Sequence, residues 1–122
     1  MKSKKAIIVL SLALVLSACV PVEEKHFNVK YLFGEWTENT DHYKYREDGT
    51  GSFWDTSDDV AEEEATPFEW SLSFDTLLVN HLLWNGSIVP KIYIVTALDS
   101  IQLDNYDLVS GEAHHYTKVT VP

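Results

Sequence analysis

Aromatic side chains are the residues of this chain best suited to recognition chemistry. Trp36, Tyr43, Tyr45, Phe53, Trp54, Phe68, Trp70, Phe74, Trp84, Tyr93 and Tyr116 crowd a chain of 122 residues. Rings in such numbers either fill a core or stack on an apolar or sugar-like ligand. Core packing is the first expectation for Trp36, Tyr45, Phe68, Trp70 and Phe74. The candidates for ligand contact at an open end are Trp36, Tyr43, Tyr45, Trp54, Trp70 and Trp84, and Trp84 beside the Asn85-Gly86 turn is placed to be exposed. Other chemistry finds less support. His26, His42, His81, His114 and His115 offer imidazoles, but adjacent His114 and His115 on a strand face opposite sides. No further ligands are spaced to join them, so no metal is expected. The acids Asp58, Asp59, Glu62, Glu63 and Glu64 lack the Asp-x-Asp-x-Asp-Gly spacing that wraps Ca²⁺. They read as a solvated run, available to gate a site or meet a basic partner. There is no Gly-x-Ser-x-Gly elbow, and Gly49 and Gly51 punctuate a hairpin rather than open a helix onto phosphate. No catalytic residue and no cofactor are expected, and the chain does not read as an enzyme.

The first eighteen residues carry a different message. Lys2, Lys4 and Lys5 precede an eleven-residue apolar run, Ala6 to Leu16, broken only by Ser11. A bilayer requires about 20 apolar residues, so residues 1–18 read as a removable signal peptide. Leu16-Ser17-Ala18-Cys19 resembles the bacterial lipobox. That resemblance implies a cut before Cys19 and fatty acylation, by palmitate-type chains, of its thiol and new amine. Cys19 is the only cysteine and has no disulfide partner within the chain, and two or more acyl chains give stable anchoring. Val20 in place of the aspartate of the enterobacterial retention pattern implies the outer membrane. Residues 19–30 read as a lipidated tether.

Removing residues 1–18 takes three lysines and no acid, which leaves six Lys and Arg against nineteen Asp and Glu, a net charge of −13. Such a charge repels the phosphate backbone and argues against nucleic acid. The remaining length supports one small domain, 31–122.

Positioning the rings falls to short strands. Phe68, Trp70, Leu72 and Phe74 alternate with Glu69, Ser71 and Ser73, and Tyr43 and Tyr45 alternate with His42, Lys44 and Arg46. Strands are predicted over 31–39, 42–47, 51–56, 67–74, 76–83, 88–97, 100–104 and 114–120, with a bulge or strand start at Pro90. Asp48-Gly49-Thr50-Gly51 and Asn85-Gly86 mark hairpin turns. No stretch repeats an apolar stripe at helical spacing. The fold class is therefore all-β: an antiparallel up-and-down meander closed into a small eight-stranded barrel, with a β-sandwich as the alternative.

Gly34-x-Trp36 resembles the opening motif of lipocalins and the wider calycin group, where the tryptophan packs across the barrel base. Tyr43-x-Tyr45, Asp48-Gly49-Thr50-Gly51, Phe68-x-Trp70, Leu98 to Leu103 and Tyr116 to Val119 follow in an order similar to small lipocalin-like domains of Bacteroidetes lipoproteins. The resemblance implies a barrel moored to the cell envelope, and a binding module for a small apolar or amphipathic ligand. A filled barrel serving as an accessory subunit, contacting an envelope protein, is the alternative. The chain is shorter than a full lipocalin, which implies a shallow interior.

Overall fold

A computed structural model describes residues 26–58 and 61–120. The export segment 1–18, Cys19 and the tether as far as residue 25 lie outside the described residues, as do Asp59 and Val60 of the acidic run. Eight antiparallel strands follow in chain order: β1 Gly34–Glu38, β2 Asp41–Tyr45, β3 Thr50–Asp55, β4 Thr66–Ser73, β5 Thr76–Leu82, β6 Ile88–Leu98, β7 Gln102–Asp107 and β8 Ala113–Lys118. Each pairs with the next, and β8 returns to β1 to close an up-and-down barrel. Closure leaves no sheet edge along most of the circumference.

The predicted elements all form, with shifts that have local causes. Tyr31 lies in a 3-10 turn, Val29–Tyr31, rather than in β1, because the Asn28 side chain accepts from the Lys30 N–H and caps the turn. The expected fourth inward side chain of β4 is a correction. Phe74 adopts a left-handed φ of 56°, which ends the strand at Ser73, and it is 47% exposed in the turn instead of joining the core. Pro90 marks neither a bulge nor the first position of a strand. It is the third residue of β6, where residues 88–91 pair with β5 and the β7 ladder begins only at Tyr93. A missing N–H on that open flank leaves no ladder bond unmade. The bulge of β6 falls between Val95 and Ala97. The acidic run forms two short 3-10 turns, Thr56–Asp58 and Glu62–Glu64.

Alternation of side chains decides which residues face inward. Trp36, Tyr45, Phe68, Leu77, Val79, Val95 and Leu103 form the buried core, with Trp36, Leu77, Val79 and Leu103 wholly inaccessible. The two ends of the barrel differ. At one end, Trp36 donates its indole N–H to the Leu32 carbonyl at 2.9 Å, and Lys118 Nζ lies 4.6 Å from the Trp36 ring centre. Lys118 also donates to the Phe33 carbonyl at 2.7 Å. Its stem passes 3.2 Å from where a Cβ on Gly34 would lie, and Gly34 has φ of 117°, so the Gly-x-Trp pair closes this end only with glycine at its first position. The connections at the other end are Asn39-Thr40, the acidic run, the β5–β6 hairpin and the β7–β8 turn. This second end is the open one.

Candidate functional site

The inward rows of β2, β6, β7 and β8 carry polar tips toward the open end. Tyr43, Tyr93, Asn105 and Tyr116 lie on those rows, above the apolar layer of Tyr45, Phe68 and Leu103. Tyr43 is the hub. Its ring centre stands 4.8 Å from Phe53, 5.6 Å from Tyr116, 6.0 Å from Phe68 and 6.3 Å from His81. The Tyr43 and Tyr93 hydroxyls also interact. Burial pushes the phenols of Tyr43, Tyr93 and Tyr116 above their ordinary range. Tyr93 and Tyr116 add to the rise at Tyr43, Tyr45 and Tyr93 add to it at Tyr116, and the contact with Tyr43 partly offsets it at Tyr93. These phenols therefore stay neutral and act as hydrogen-bonding groups, not as bases.

Charged groups form two walls around them. On one wall, Glu38 Oε1 contacts His114 Nδ1 at 2.8 Å and Glu38 Oε2 accepts the His115 N–H at 2.7 Å. Asp41 stands beside this pair, its pKa raised by burial and then by Asp55 and Glu38. Opposite, Lys91 Nζ lies 3.7 Å from Asp107. Asp107 is held below the usual carboxylate range by the N–H groups of Ser110 and Val109. Desolvation, reinforced by Lys91, lowers the pKa of His81, which keeps that ring neutral. Asn105 lies between the walls. It is 4% exposed and its side-chain oxygen has no hydrogen-bond partner, an unusual condition for a buried polar atom.

The structure scatters most of the residues singled out from the sequence. Tyr43 is at the open end, and Tyr45 lies directly beneath it, stacked 6.3 Å away. Trp36 plugs the closed end. Trp70 also lies toward that end, its indole N–H donating to the Thr50 carbonyl at 2.9 Å. Trp54 is on the outer face of the barrel. It stacks 5.0 Å from His42 and is 6% exposed, because the Glu62–Glu64 turn packs against β3 there and Glu62 binds Lys44 at 2.9 Å. Trp84 is 98% exposed at the tip of the β5–β6 hairpin. Adjacent His114 and His115 do face opposite sides: His114 turns in to Glu38, and His115 turns out to Asp104 at 3.0 Å.

Among the described residues, Trp36, Tyr45 and Phe68 belong to one packed core against which Tyr43 and Trp70 rest. Surface clefts flank the barrel, and they are not lined by Trp36, Trp54 or Trp70. One of about 320 Å³ lies between the start of β4 and Leu82, Leu83 and Trp84. Another, of about 330 Å³, is lined by Val89, Pro90, Ile92 and Val109, with Lys91 and Asp107 at its polar side. A third, of about 310 Å³, lies along Gln102, Asp104, His115 and Thr117. Val109, 90% exposed, belongs to the second of these clefts, and Ile88 and Leu108 are exposed at the same open end. Among the described residues, no three His, Cys, Asp or Glu side chains are grouped to hold a metal ion.

The polar members Asn105, Asp107 and Asp41 were not singled out from the sequence, although alternation could have found two of them. Once Leu103 is assigned inward, residues 105 and 107 must follow it. No family model, curated protein or solved structure matches the chain, so the open end of the barrel is read from its own geometry.

Proposed function

We propose that this chain is a non-catalytic binding module of the bacterial cell envelope. Lipidated Cys19 moors it, and the open end of a lipocalin-like barrel holds a small amphipathic ligand. The single observation that carries the reading is the Asn105 side-chain oxygen, buried and unpartnered among neutral phenols at an end that solvent reaches. A ligand donor satisfies such an atom, and the Tyr43 and Phe53 rings supply an apolar surface beside it. The filled interior below favours a ligand held shallowly, against Tyr43 rather than deep among the tryptophans. The Leu16-Ser17-Ala18-Cys19 sequence supports the anchor, and the absence of aspartate after it supports the outer membrane. Native mass spectrometry of the chain released from its own envelope is the test. A retained small molecule, lost on unfolding, is expected together with an acylated N-terminal peptide. Protein of bare mass would overturn the anchored reading, and an empty barrel that no amphiphile perturbs at Tyr43 would overturn the ligand.

A second reading has its own observation. Trp84 and Val109 stand almost fully exposed beside Leu83, Ile88 and Leu108 on the hairpin tips, and exposed apolar surface of this kind marks protein contacts. An envelope partner recovered with the intact chain but lost from a Trp84→Ser variant would favour the accessory role.

A further inference from the structure

Three carboxylates gather where β1 turns into β2 and where β3 ends. Glu38 and Asp41 are paired across the β1–β2 turn, and Asp41 stands directly opposite Asp55 on β3. Like charges in that register repel. Glu38 already serves His114 and the His115 N–H, and Asp55 accepts the Ser57 N–H at 2.8 Å. Asp41 has no ion-pair partner among the described residues, and Arg46 donates to Ser52 instead. Lys44 binds Glu62 outside the barrel, Lys91 faces Asp107, and Lys118 covers Trp36 at the opposite end.

Acids alone do not make a site, but a second observation converges on the same place. Asp41 is the register partner of Glu38, which binds His114, and His114 is the register partner of Asn105. One carboxylate–imidazole pair thus links the strand positions of the unpaired carboxylate and the unpartnered amide oxygen. Both are acceptors in want of N–H donors. A bare metal ion does not fit them, since no three His, Cys, Asp or Glu side chains among the described residues come close enough together to share one. A cation with several N–H groups and a hydrocarbon body suits them better. The faces of Tyr43, Phe53 and Tyr116 attract such a cation, and a net charge of −10 draws cations in.

We propose that the open end recognises a primary ammonium carried on an alkyl chain, with Asp41 as its charge partner, Asn105 as its buried acceptor and the Tyr43 and Phe53 rings beneath its methylenes. This rests on the small-ligand reading given above and names its head group. The same chemistry comes from two sources, a free amphipathic amine or the lysine side chain of a protein partner.

The test uses the chain from residue 19 with Cys19→Ser, which keeps every residue of the barrel. Octylamine, octan-1-ol and octanoate share a tail and differ in head group. A Leu-Lys-Leu peptide blocked at both ends, and the same peptide acetylated on its lysine, represent the second source. Binding is followed at neutral pH by calorimetry and by shifts of the Tyr43 and Asn105 resonances. Octylamine, or the lysine peptide, is expected to bind about tenfold tighter than its neutral counterpart, as a charge-assisted hydrogen bond implies, and octanoate is expected to bind weakest. Asp41→Asn should erase the preference for the charged head. Asn105→Leu should weaken octylamine binding, with thermal melts confirming that both variants fold. A lead for octylamine assigns the free amine, and a lead for the peptide assigns the partner's lysine. Octan-1-ol or octanoate matching octylamine, with the acetylated peptide matching its parent, would overturn the ammonium and leave the small-ligand reading standing. No shift from any probe would overturn both.

Discussion

Gly51 is inward-facing on β3 and lies opposite Phe68 on β4. A Cβ at that position would collide with the Phe68 ring and with the Lys44 carbonyl oxygen. Phe68 is 1% exposed and packs edge-on to Tyr45 and His81, so it has no room to retreat. Gly51→Ala is expected to destabilise the barrel by about 3 kcal/mol, at the upper end of overpacking costs, read as a lower midpoint in urea. An unchanged midpoint would show that the ring can move. His81 gives a second prediction, through its charge. Its pKa is lowered in the folded chain, first by burial and then by Lys91. As pH falls below the unfolded value of about 6.5, the unfolded chain takes up a proton that the folded chain resists, so stability falls toward acid. Tyr43, Phe53 and Phe68 all meet this ring edge-on, and Phe preserves those contacts. His81→Phe should therefore lose less thermal stability than the parent between pH 7 and pH 5.5. Identical pH dependence in the two proteins would remove His81 from the account.

Among the elements, the β1–β8 seam is the shortest ladder in the barrel, with Trp36 opposite Lys118 and Thr37 opposite Thr117. Where β1 gives out, the Glu38 carboxylate takes the His115 N–H at 2.7 Å in place of a backbone carbonyl. Glu38→Ala leaves that N–H without an acceptor and His114 without its carboxylate, at a cost of about 2 kcal/mol. Faster amide exchange at His115 than at Thr117 is the expected signature, and unaltered exchange would mean that backbone pairing alone closes the barrel. The seam also separates what the sequence could disclose from what it could not. Period-two alternation and hairpin turns are local, so β2, β3 and β5 were legible to within a residue or two. Strand β7 was read as ending at residue 104, because Asn105 and Asp107 are polar at inward positions, where apolar residues signal a strand. Trp54, a candidate for ligand contact, faces outward under the acidic run. Alternation fixes which residues share a face, but the face that a later segment covers is a tertiary matter. The ring of polar groups was hidden for the same reason: it joins Glu38 to His114 across most of the chain.

For the molecule as a whole, the two ends of the barrel stand in a defined relation to the proposed anchor. His26, the first described residue, packs edge-on against Phe74 at 4.4 Å, in the β4–β5 turn of the closed end. His26 is the seventh residue after Cys19, and that span fully extended reaches about 25 Å. A lipidated Cys19 would thus keep the Trp36 plug toward the bilayer and turn the open end, with Asn105 and Trp84, toward the aqueous side. That arrangement suits a receptor for a ligand in solution and disfavours one that draws its ligand from the membrane. Nitroxide labels test it, because an acylated Cys19 leaves any introduced cysteine as the one free thiol. Ile101, 63% exposed in the β6–β7 turn, marks the closed end, and Trp84 marks the far rim. In vesicles bearing the lipidated protein, a label at Ile101→Cys should be relaxed more by membrane-dissolved oxygen than a label at Trp84→Cys. The label at Trp84→Cys should respond instead to a water-soluble nickel chelate. The opposite order would bring the apolar rim of Trp84, Leu108 and Val109 against lipid, making that rim a membrane contact and reversing the direction from which a ligand arrives.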